Sequence, residues 1–67
     1  MTISIGKYKK VIDESILKEG EVDIDFNGEL MIKLSIEEGQ IKIINAMDGY
    51  GNNCKEEWIE EIPSIMP

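Results

Sequence analysis

The side chains able to do chemistry in this 67-residue chain are one cysteine, fourteen carboxylates and seven lysines, with no histidine and no arginine. Without histidine, the usual general acid and base at neutral pH is missing. Cys54 has no imidazole to activate it as a nucleophile. It reads instead as a small apolar residue at the start of a helix. The acidic pairs Asp13-Glu14, Glu37-Glu38, Glu56-Glu57 and Glu60-Glu61 are sequence neighbours, whose side chains diverge on a helix or turn. Glycosidase-type work needs two carboxyls facing across a cleft. No glycine-rich loop joins a strand to a helix to cradle phosphate. The residues do not equip an enzyme and call for no cofactor.

Metal binding fares no better. A zinc site of Cys and His cannot be assembled in one chain with a single Cys and no His. Asp48, Asn52 and Asn53 lie in a glycine-rich loop, DGYGNN. As a calcium loop starting at Asp48 it would place Tyr50 third, Asn53 sixth and Ile59 twelfth, where oxygen, glycine and glutamate are required. A turn with Asx hydrogen bonds is the better reading.

What remains is charge. The formal net charge is −7, unevenly spread. Residues 1–18 hold four lysines against two acids, a net of +2, and residues 19–67 hold three against twelve, a net of −9. An excess of carboxylates disfavours contact with phosphate backbones and anionic membranes, which need Lys and Arg. No apolar run is long enough to span a bilayer. No signal peptide is apparent, and one unpaired Cys suits a reducing compartment; the expected location is cytoplasmic.

The elements that must position these residues follow from periodicity. Residues 1–5 alternate weakly, as a short strand or extended arm. Tyr8, Ile12 and Ile16, with Val11 beside them, recur at helical spacing and predict a helix over residues 7–19, with Gly20 as its stop. A strand is the competing reading, because the segment has β-branched residues and no Ala. Alternation then predicts strands at 22–26, 30–36 and 41–47, an antiparallel meander with one buried face. CKEEWIEE predicts a helix over 54–61, capped by Asn53 and closed by Pro63. Its Trp58, Ile59 and Ile62 would cover one end of the sheet. The predicted class is a single α+β domain, a three-stranded meander packed against an N-terminal helix and a short C-terminal one.

The first turn sets a conflict. Asn27-Gly28 favours a two-residue hairpin loop. That register would bring Asp25 beside Leu30 on the core face, because a one-residue slip exchanges the faces. Burying unpaired aspartates costs several kcal/mol, roughly, against about 1 kcal/mol for a preferred turn. The expected solution is a three-residue loop or equivalent bulge, pairing Phe26 with Leu30 and Ile24 with Ile32. The second turn pairs Ile36 with Ile41 and Leu34 with Ile43, leaving Asn45 opposite Ile32, at the sheet margin or where the third strand bends.

This layout leaves an acidic surface of Asp23 and Asp25 on the outer sheet face and Glu56, Glu57, Glu60 and Glu61 along one side of the last helix. These six are the candidate partner-binding residues, set against the plainer reading of a solvated face. Spaced carboxylates dock on basic grooves and imitate a phosphate backbone. In size, charge and composition the chain resembles the small acidic proteins with which bacteriophages block host nucleic-acid enzymes, including anti-CRISPR proteins and DNA mimics. That resemblance implies a non-enzymatic inhibitor whose partner is a protein with a basic surface, such as a nucleic-acid-binding enzyme. No motif carries it, so no family residue transfers.

Two other readings stand beside it. Free strand edges in so small a sheet suit a self-associating scaffold or homo-oligomer. The basic N-terminal segment, with Lys7, Tyr8, Lys9 and Lys10, suits a small regulatory or antitoxin-like protein.

Overall fold

A computed structural model describes residues 1–66. In chain order it shows β1 (Thr2–Ile5), β2 (Tyr8–Val11), a 3-10 turn at Glu14–Ile16, β3 (Gly20–Phe26), β4 (Leu30–Glu37), β5 (Gln40–Asp48), α1 (Lys55–Trp58) and β6 (Ser64–Met66). They form two three-stranded antiparallel sheets, β2-β1-β6 and β3-β4-β5. The α+β expectation is therefore overturned, and no N-terminal helix spans residues 7–19.

The reason lies in which isoleucines are buried. Ile3 and Ile5 are fully buried, which only a paired strand with one inward face achieves at that spacing. Gly6 turns the chain at φ +58, and Ile5 then faces Tyr8 and Ile3 faces Lys10. Tyr8 thus packs inward, while Val11, which helical spacing placed beside the buried stripe, is 77% exposed. The helix-like spacing of Tyr8, Ile12 and Ile16 is split between β2, the link after it and a 3-10 turn. Asp13 caps that turn by accepting from the Ser15 amide at 2.9 Å.

The meander survives, with its expected register between β3 and β4 and over the first half of β5. Phe26 pairs with Leu30, Ile24 with Ile32, Leu34 with Ile43 and Ile36 with Ile41. Asn27 and Gly28 both take positive φ, +57 and +74, the pair a type I′ turn uses, and the Glu29 amide donates to the Phe26 carbonyl at 3.1 Å. Glu29 is then the extra residue before Leu30. The turn keeps its preferred chemistry and the bulge restores the faces.

Asn45 departs from its expected partner. The register steps between Lys33 and Leu34, so Asn45 faces Lys33 and Ala46 faces Ile32. Ile44 is the inserted residue, and the third strand bends there. Carrying the amide out of the core avoids the cost of burying it unpaired. Asn45 Oδ1 accepts from the Ala46 amide at 3.0 Å and from Asn53 Nδ2 at 3.3 Å.

One core joins the sheets, built from Ile3, Ile5 and Ile12 on one side and Ile24, Phe26, Leu30, Ile32, Leu34, Ile43 and Ala46 on the other. Each large aliphatic there contributes roughly 1.5–3 kcal/mol by leaving water. Tyr8 closes one end between Phe26 and Trp58, with ring centroids 5.8 and 5.7 Å away. The predicted helix over 54–61 shortens to Lys55–Trp58. Trp58 packs against the core as expected, but Ile59 and Ile62 are 45% and 84% exposed and cover little. β6 pairs with β1, setting Ile65 opposite Ile3.

Candidate protein-binding surface

The outer face of the meander carries the side chains that alternation turns away from the core. Asp23 lies across from Lys33, Asp25 across from Met31, and Met31 across from Met47. Both aspartates are exposed, as the register requires. Met31 and Met47 are 45% and 41% exposed, adjacent on neighbouring strands. A shallow hollow of about 170 Å³ lies between Asp23, Met31, Lys33, Asn45, Ala46 and Met47. A second, of about 260 Å³, continues from Met31 and Met47 to Asp25, Asp48 and the glycines of the two adjoining loops.

Those loops are held against each other. A Cβ on Gly49 would run into the Gly28 carbonyl, so the Phe26–Leu30 turn and the Asp48–Asn53 loop touch backbone to backbone. Asp48 organises its own loop. Its Oδ1 accepts from the amides of Tyr50 and Asn52, each at 2.9 Å. The Asn52 amide, above all, holds the Asp48 carboxyl below its usual range. This is the Asx turn the composition suggested. Tyr50 stands at the tip, 92% exposed, above a hollow shared with Tyr8, Glu29 and Asp48.

The six candidate acids are not brought together. Asp23 and Asp25 sit on β3, one edge of the sheet. Glu60 and Glu61 line a groove along β5, the opposite edge, about 10 Å away at the spacing of paired strands. With α1 ending at Trp58, Glu56 and Glu57 lie on the helix and Glu60 and Glu61 beyond it, so the four do not form one helical stripe. The exposed Met31–Met47 pair was not among the candidates. The Met31–Met47 pairing was not legible, because the bulge at Ile44 lies between Ile43 and Met47 and changes which residues face outward.

Among the described residues no cluster of His, Cys, Asp and Glu could hold a metal ion. Burial pushes the Cys54 thiol up, and the carboxylates of Glu57 and Asp48 push it further, the opposite of what a nucleophile needs. Among the described residues no helix is long and apolar enough to cross a membrane. Comparison with protein-family models, curated proteins and solved structures returned no match.

Proposed function

We propose that the protein is a non-enzymatic binding module that docks the outer face of β3, β4 and β5 on a protein partner. The observation that carries this is the exposed Met31–Met47 pair near the loop end of the polar face that carries Asp23 and Asp25. Methionine is enriched at interface cores, where flexible thioethers adapt to the opposing surface. Carboxylates beside such a centre steer and orient a basic partner. The partner class that best fits Asp23, Asp25 and a net charge of −7 is a nucleic-acid-handling enzyme, whose phosphate-binding surface is basic. Occupying that surface would inhibit it.

The test is equilibrium binding to a partner captured with the tagged chain and then purified. Binding weakens as salt rises, because rim charges are screened. Met31→Lys with Met47→Lys lowers affinity at least about thirtyfold, the scale of losing about 2 kcal/mol at an interface centre. Affinity unchanged by both salt and that double substitution would rule the proposal out.

A further inference from the structure

The two outer edges of the meander are complementary to each other, and we infer that the chain associates head to tail with further copies of itself through them. The backbone pattern defines each edge. In an antiparallel ladder, alternate residues turn their N–H and C=O away from the partner strand. Glu37 and Gln40 close the second hairpin, so on β5 the residues facing away from β4 are Ile41 and Ile43. Past the inserted Ile44 the alternation shifts by one and places Ala46 and Asp48 outward. There the Ala46 carbonyl accepts from the Cys54 amide and the Asp48 amide donates to the Asn52 carbonyl, both at 2.9 Å. The loop thus covers that half of the edge, and among the described residues nothing pairs with Ile41 and Ile43. On β3 the outward residues are Glu21, Asp23 and Asp25. The Asp25 carbonyl is taken by Lys10 Nζ at 2.6 Å, leaving the Asp23 stretch open.

One alignment satisfies backbone, faces and charge together. Laid parallel, β3 of one copy beside β5 of the next sets Asp23 opposite Lys42. The Asp23 amide then donates to the Ile41 carbonyl, and the Ile43 amide donates to the Asp23 carbonyl. Both side chains point to the outer face, so carboxylate meets ammonium across the seam. On the inner face the same register puts Val22 against Ile41, each only partly buried at its own edge. The second layer matches too. β2 flanks β3 and carries Lys9, while Glu60 and Glu61 flank β5. Two copies of β5 paired about a two-fold axis through Lys42 would instead set Lys42 against Lys42, and no such pairing brings Asp23 to it. A seam of this kind is heterologous, so it propagates into a filament or closes as a ring. It leaves Met31 and Met47 exposed along one continuous face.

Sedimentation velocity from micromolar to millimolar concentration tests this. The wild-type chain gives a concentration-dependent series of species larger than the monomer. Lys42→Glu and Asp23→Lys each abolish that series. Mixed in equal amounts, the two variants alternate and recover the series, because every seam then joins either the two native residues or the two reversed ones. The chain carrying both reversals associates again, which also shows that the single variants had not simply unfolded. A wild-type chain monomeric throughout, a series insensitive to the single reversals, or a mixture that stays monomeric would each overturn the inference. Self-association is read on the chain alone, whereas the proposed function is read with a purified partner and Met31→Lys with Met47→Lys, which lie off the seam, so a failure here and a failure of that reading are told apart.

Discussion

At the scale of single residues, the loop end of the molecule rests on two positions, Gly49 and Asp48. A methyl group at Gly49 meets the Gly28 carbonyl, a backbone atom that cannot swing aside. Gly49→Ala is expected to cost about 1–3 kcal/mol, as overpacking usually does, read as a lower urea midpoint. An unchanged midpoint would mean the two loops are not in contact. Asp48 sets a pH dependence whose sign follows from its hydrogen bonds. Its carboxyl titrates below its ordinary 3.8 in the fold. The stabilisation it lends is therefore present above the unfolded value and lost as pH falls through the folded one. Amide exchange at Tyr50 and Asn52 is expected to speed up selectively in that acid window, and Asp48→Asn to remove the dependence. Uniform exchange across the loop and the core strands would contradict it. The Asx loop was legible from DGYGNN because its logic is local. The position of Met47 was not, because it depends on an inserted residue in a strand with no glycine or proline to announce it.

At the scale of elements, the strands of the meander could be read from period-two alternation, and so could the contest at Asn27-Gly28. The cost of burying Asp25 decided the register, and the bulge at Glu29 let the turn keep its own preference. The N-terminal segment misled because four apolar residues at spacings of three and four satisfy a helix whether or not a helix buries them. What decides is the neighbouring β1: Ile3 and Ile5 need a partner strand, and the Gly6 turn delivers Tyr8 to one of them. The consequence is testable by paired truncations. Ile5→Ala is expected to cost about 2–5 kcal/mol, as for a buried aliphatic, and Val11→Ala at most about 0.5 kcal/mol, by urea denaturation. The reverse order would restore the helix. The C-terminal helix was legible in place but not in length. Only Trp58 finds the core and the chain must turn back to pair β6 with β1, so α1 stops where Ile59 no longer has a surface to cover.

At the scale of the whole molecule, a small excess of order sustains the fold. With one core of about ten side chains and no internal disulfide available to its lone cysteine, the protein spends no residue on buried charge: among the described residues its core contains no polar or charged side chain. All the charge is therefore outside, and its distribution matters more than its sum. Of the six candidate acids, Asp23 and Asp25 share the outer face with the methionines, and Glu60 and Glu61 border the groove along β5, the width of the sheet away. The measurement that tests the proposed binding face most directly compares Asp23→Lys with Asp25→Lys against the triple reversal of Glu57, Glu60 and Glu61 to Lys, for binding to the same purified partner. The expected result is loss of binding with the aspartate pair and retention with the glutamate triple, both variants folded by circular dichroism. Retention with the aspartate pair and loss with the glutamate triple would contradict it and move the site to the other edge of the sheet.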